Sequence, residues 1–172
     1  MFDHDYDASA ELARADWKPV FLDAHQDETL IALSDTMIPV TDTPGAKAAL
    51  VNRFLDLLIS SESPSVQSEF VASLAYMDLS ARQRYKVAFR DLTPEEKIDL
   101  LNLLAFPRPH NRQDKTGADF VGYQHFSKLK TLISEAFYSS PIGLKELGWD
   151  GTPPHGQFSG CTHSPGDHDN AG

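Results

Sequence analysis

Seven histidines and one cysteine are the residues whose chemistry has to be weighed first. His4, His25, His110, His125, His155, His163 and His168 are scattered along the chain. A metal pair on a helix needs ligands three or four residues apart on one face, and no histidine in a helical stretch has such a partner. Cys161-Thr162-His163, with His155 and His168 nearby, is the one grouping of ligand types, and it lies in a Gly-rich stretch. Its spacing follows no standard zinc pattern, so a polar tail with incidental histidines stands ahead of an ion site. Cys161 as a nucleophile would need an adjacent base and positive surroundings to form its thiolate, and neither is written beside it. A single cysteine also excludes an internal disulfide and any zinc site built on several cysteines.

Other equipment for catalysis is missing. There is no G-x-G-x-x-G after a strand, no Walker-type loop and no G-x-S-x-G. Arg82, Arg84, Lys86 and Arg90 form a short basic stretch that single charges on a solvated helix face explain. Asp35 has two readings: a buried carboxylate facing the segment after its helix, or, the favoured one, a side chain bonding backbone N–H groups of the following turn.

The chain has 172 residues, 41% hydrophobic and 23% charged, which fits one soluble globular domain. Its formal net charge is −10, which argues against a nucleic-acid binder. The acid is concentrated at the front. Residues 1–42 carry ten Asp and Glu against Arg14 and Lys18, while residues 43–147 are nearly neutral. The front is either a solvated terminus or a segment that docks on a basic surface. No apolar run approaches the roughly 20 residues that span a bilayer, so no direct membrane insertion is expected. Met1 to Asp16 lacks the basic and apolar parts of a secretory signal.

The periodicity predicts an all-α fold, a small bundle of about five helices. Residues 1–18 are read as a flexible acidic arm, 19–147 as the helical domain and 148–172 as an irregular Gly/Pro-rich tail. Asp23 and Gln26 form a capping box for a first helix, which stops at Pro39. Thr43 is expected as N-cap and Pro44 as first residue of a second helix running to about Ser60. Leu50, Phe54, Leu57 and Leu58 lie on one face of it with Val51, Leu55 and Ile59 beside them, so it is expected to be central and mostly buried. Gly45 is expected where two backbones approach closely. A third helix starts at Ser63 or Ser65 and continues toward Phe89. Thr93-Pro94-Glu95-Glu96 starts a fourth that ends before Pro107. A last long helix covers about Ala118 to Tyr138, and a short turn follows at Leu144 to Leu147. Trp149, Phe158 and Cys161 stand at intervals in a tail with few other apolar side chains, and are expected to anchor on a partner.

Two stretches resemble a known family. Leu33-Ser34-Asp35-Thr36-Met37-Ile38-Pro39, then Thr41-Asp42-Thr43-Pro44-Gly45-Ala46 and Phe54-Leu55-Asp56, are similar to the L-x-D-x-I-I-P, T-D-T-P-G-A and F-[IL]-D blocks of the gluconate 2-dehydrogenase subunit 3 family. Phe126-Ser127-Lys128-Leu129-Lys130, Phe137-Tyr138-Ser139-Ser140-Pro141-Ile142-Gly143 and Glu146-Leu147-Gly148-Trp149 resemble its later blocks, and Gly160-Cys161-Thr162-His163 resembles a terminal G-C-T-H. The resemblance spans about residues 20–165.

It implies a non-catalytic small subunit with no cofactor of its own. The implied partner is a large FAD-bearing flavoprotein of the glucose-methanol-choline type that oxidises a sugar, a sugar acid or a glycoside, at the 3-position in some relatives. A cytochrome c subunit with haem c often takes the electrons. Several members carry a twin-arginine signal, absent from this chain as written, and are thought to escort the flavoprotein across the membrane. The implied location is therefore periplasmic within a complex, with the cytoplasm as the alternative. On this reading Trp149, Phe158, Cys161 and His163 contact the partner, and Asp35, Pro39, Asp42, Thr43, Pro44 and Gly45 form a structural motif. A dissociable escort is the second reading. An independent enzyme using Cys161 and nearby histidines is the third.

Overall fold

The computed structural model describes residues 8–106 and 118–149. Among these the fold is all-α, without a strand: α1 (Ala8–Leu12), α2 (Ala24–Met37), α3 (Val51–Ser60), α4 (Pro64–Tyr85), α5 (Pro94–Ala105), α6 (Ala118–Tyr138) and α7 (Pro141–Glu146), with a 3₁₀ turn at Phe89–Asp91. α6 is the central rod. It packs on α3, α4 and α5, while α2 lies across α3, α4 and the 3₁₀ turn. Leu30 and Leu33 of α2, Val51, Leu55 and Ile59 of α3, and Leu74 and Met77 of α4 meet Leu129, Ile133 and Phe137 of α6 in one core. That single apolar interior is the main stabilising term of a bundle this size.

Local chemistry sets most helix starts. Asp23 accepts the Gln26 N–H at 2.8 Å and the Gln26 side chain accepts the Asp23 N–H at 3.0 Å, which completes the expected capping box. Thr93 and Glu96 do the same for α5, and Ser63 caps α4 with Pro64 at its first position. Each box satisfies two backbone donors that a helix end otherwise leaves open.

The segment before α3 departs from expectation. Thr43 caps no helix, Pro44 does not begin one, and α3 starts at Val51. Gly45 is pressed against the end of the first long helix: an added Cβ would lie 2.5 Å from the Ile38 carbonyl oxygen and 2.8 Å from Pro39 C. The Ala46 N–H donates back to Ile38 O at 2.9 Å. A turn over residues 46–50 follows, and Leu50, at φ 56°, stands immediately before α3.

α3 is also rotated from the expected burial. Val51, Leu55 and Ile59 form its buried face together with Asn52 and Asp56, and Phe54, Leu57 and Leu58 remain 36–39% exposed. α4 ends at Tyr85 rather than Phe89, because Lys86 adopts a left-handed conformation and Phe89 opens the 3₁₀ turn. The described part of the supposed arm is tied down. Arg53 Nη1 donates to the carbonyls of Leu12 and Arg14 at 2.6 and 2.9 Å, and its guanidinium sits 5.0 Å over the Trp17 ring.

Candidate functional site

The functional features follow from two corners of the bundle. At the first, the Asp56 carboxylate is fully buried and accepts three backbone N–H groups: Val20 at 2.7 Å, Phe21 at 3.1 Å and Leu22 at 2.7 Å. Next to it Asn52 Nδ2 donates to Asp27 Oδ1 at 2.8 Å, and burial pushes the Asp27 carboxyl above its ordinary range. These two polar residues join α3 to the entry of α2. The sequence reading gave the backbone-binding part to Asp35. Asp35 instead accepts no backbone N–H among the described residues, and its buried Oδ1 has no hydrogen-bond partner there.

At the second corner α6 turns into α7. Ser140 Oγ accepts the Gly143 N–H at 3.0 Å and donates to Phe137 O at 2.6 Å, which caps α7 with Pro141 at its first position. A Cβ on Gly143 would lie 2.1 Å from the Phe137 carbonyl oxygen, so only glycine fits. Thr43 Oγ1 donates to Glu146 Oε1 at 3.2 Å and ties the connector to α7 across 103 residues of sequence.

Between α3 and this corner lies a groove of about 350 Å³, lined by Leu12, Ala48, Ala49, Leu50, Phe54, Ala136 and Ser139–Ile142. None of these side chains is charged. A second cavity of about 420 Å³ between α4 and α6 is rimmed by Glu62, Glu69 and Lys128. Glu69 and Lys128 are paired at 2.6 Å, and that contact lowers the Glu69 carboxyl.

Two histidine contacts have the residue types of a catalytic pair without its geometry. Ser73 Oγ donates to Glu69 O at 2.8 Å, so the 3.0 Å contact to His125 Nδ1 leaves the imidazole as donor. A serine whose proton is committed to its own helix, facing an N–H rather than a lone pair, is not an activated nucleophile. Burial and the nearby Lys128 hold His125 below the usual imidazole range, and it stacks on Tyr76 at 4.6 Å. His25 Nε2 pairs with Asp78 Oδ2, and Asp78 Oδ1 accepts the Phe89 N–H at 2.9 Å. That carboxylate staples α2 and the 3₁₀ turn to α4. Among the described residues no three His, Cys, Asp or Glu side chains gather as a metal site.

The motif residues are brought to one region. Pro39, Asp42, Thr43, Pro44 and Gly45 form the connector; Asp42 Oδ1 accepts the Thr41 hydroxyl at 3.0 Å. Trp149 is half-exposed just past α7, with its N–H donating to Leu144 O at 3.0 Å. Phe158, Cys161 and His163 lie outside the described residues. Sequence reasoning missed Asp56 as the backbone acceptor. A buried acid in the middle of an apolar helix is a signal for such a role, because an acid there needs donors.

No helix among the described residues is long and apolar enough to cross a membrane. No curated protein and no solved structure matched the chain. Residues 24–153 match the gluconate 2-dehydrogenase subunit 3 family, a span that holds every helix from α2 to α7. The chain belongs to the gluconate 2-dehydrogenase subunit 3 family, and is thus an accessory subunit of a dehydrogenase complex.

Proposed function

We propose that this chain is the non-catalytic small subunit of a periplasmic or membrane-associated dehydrogenase whose large subunit is an FAD-bearing flavoprotein of the glucose-methanol-choline type. The observation that carries the reading is the family match across α2 to α7. The large subunit oxidises a sugar, a sugar acid or a glycoside, and the small one supports its assembly, stability or export. Electrons pass to a cytochrome c subunit. Trp149, Phe158, Cys161 and His163 contact the flavoprotein.

FAD is assigned to the partner because the family reading places it there and the sequence has no G-x-G-x-x-G loop of its own. A dinucleotide needs a cradle of free backbone N–H groups for its pyrophosphate and an acceptor for its ribose hydroxyls.

Co-purification tests the proposal. Tagged and produced with its flavoprotein, the chain is expected in a fixed ratio with flavin, and the complex is expected to reduce a dye with a sugar substrate. The chain alone should show neither flavin absorbance nor activity. Activity from the purified small chain would overturn the subunit reading. A flavoprotein that binds transiently and leaves before activity develops would instead establish the escort.

A further inference from the structure

We propose that the cavity between α2 and α4 binds a small neutral polyol, of the size of one sugar ring, and that Thr29 on its wall is part of the site.

The first observation is an orphaned hydroxyl. Thr29 is 1% exposed, and its Oγ1 has no hydrogen-bond partner. Other hydroxyls of α2 satisfy themselves on their own helix: Ser34 donates to Ile31 O at 3.1 Å and Thr36 to Ala32 O at 2.7 Å. Thr29 makes no such bond, and it lines a cavity of about 300 Å³. A buried hydroxyl without a partner costs stability, so one on a cavity wall points to a molecule that completes it.

The second observation is the company Thr29 keeps. Asp23, His25 and Gln26 at the start of α2 share the cavity with Asp78 and Arg82 of α4. Asp23 Oδ1 is committed to the Gln26 N–H and Gln26 Oε1 to the Asp23 N–H, which leaves Asp23 Oδ2 as an acceptor and Gln26 Nε2 as a donor. His25 spends Nε2 on Asp78 and keeps Nδ1. Arg82 adds guanidinium donors, while Leu74 and Ala75 give an apolar side.

These groups select the ligand class. Carboxylates and a guanidinium stand around one small space, so a ligand with a full charge of either sign meets a like charge there. A neutral molecule does not. A polyol hydroxyl both donates and accepts, so it can serve Asp23, Gln26, Arg82 and Thr29 alike, with its C–H groups against Leu74. The volume is at the small end for ligand sites, which suits a single ring. The cavity between α4 and α6 differs, since Glu69 and Lys128 spend their charges on each other.

The test is a titration of the full chain with D-glucose, and separately with sodium gluconate as the charged counterpart, read by backbone amide NMR shifts. Glucose should bind saturably and shift the amides around Thr29 and Asp78, and gluconate should bind at least about tenfold more weakly. Thr29→Val, nearly the same shape without the hydroxyl, should weaken glucose binding about tenfold, while Thr29→Ser should retain it. Arg82→Met, on an exposed side chain, should weaken it about fivefold, and this arm holds should Thr29→Val fail to fold. Absence of saturable glucose binding, or wild-type binding by folded Thr29→Val, would overturn the proposal. Gluconate binding as tightly as glucose would overturn the neutral class. A Thr29→Val chain that melts higher than wild type, with glucose shifting neither, would reveal a plain orphaned hydroxyl and overturn the site. Every arm uses this chain without the flavoprotein, so each of these failures leaves the subunit reading standing.

Discussion

Asp56 Oδ1 accepts the backbone N–H of Leu22 at 2.7 Å across 34 residues of sequence, inside the bundle. With Phe21 on the same oxygen and Val20 on Oδ2, one carboxylate satisfies three successive donors that no helix includes. The contact fixes where the chain enters α2, and through α2 it fixes the connector that α3 follows. Asp56→Ala should destabilise the protein by about 3 kcal/mol, because donors next to a fully buried site lose a charged acceptor. In a domain of this size that is a fall in Tm of about 5–10 °C. Asp56→Asn should fall between, since its carbonyl oxygen can still serve two of the donors. Thermal melts of the two variants check the order. An unchanged Tm for Asp56→Ala would refute the assignment.

The connector gives a paired prediction. Gly45→Ala places a methyl 2.5 Å from Ile38 O, a distance that requires backbone movement, and should cost about 2 kcal/mol or more. Thr43→Ala removes a hydroxyl whose bond to Glu146 is exposed, and should cost no more than about 0.5 kcal/mol. If Thr43 were an N-cap the loss would be about 1 kcal/mol. Denaturant titration of both variants separates the two roles.

His125 makes stability depend on pH. Burial, then the nearby Lys128, lowers its folded pKa below the unfolded value, so near pH 6 the unfolded chain binds more protons than the folded one. Stability therefore falls as pH drops through about 6.5, the unfolded histidine value, and levels off below the folded pKa. Asp27, raised by burial, acts with the opposite sign, because its folded carboxyl holds its proton to higher pH than the unfolded one. His125→Phe keeps the stack on Tyr76 and removes the titration, so its stability should change less between pH 7.5 and 5.5. Parallel slopes for the variant and wild type would assign the pH dependence to other groups.

What could be read in advance divides along the range of the interactions. The capping boxes at Asp23 and Thr93, the Ser63 start and the span of α6 are set by neighbours three or four residues apart, and periodicity and cap chemistry found them. The break at Leu50 was invisible because Thr43-Pro44-Gly45-Ala46 has every local sign of a helix start. The Gly45 contact with the 38–40 backbone, a tertiary fact, overrides it. The same rotation exposes Phe54, Leu57 and Leu58, which a helical projection placed on the favoured face. Asp56 stood out as an acid within an apolar helix, but which donors it would serve was not legible, since they lie more than thirty residues upstream.

Trp149 closes the described chain just beyond α7, and among the described residues every buried hydrophobic side chain lies between Leu22 and Phe137. Deleting residues 150–172 should leave helicity by circular dichroism and the Tm within a few degrees of wild type. On the proposed contacts, the same deletion should weaken capture of the flavoprotein, because it removes Phe158, Cys161 and His163. Truncating an aromatic anchor typically costs about 2 kcal/mol or more, so Phe158→Ala alone should reproduce much of the effect. The comparison between deletion and point variant is the informative part. If both retain the flavoprotein like wild type, the tail contributes nothing and the interface lies on the helices. If the deletion loses the partner while Phe158→Ala keeps it, the contact lies at Cys161 and His163 instead. A matched loss in the two places the anchor at Phe158.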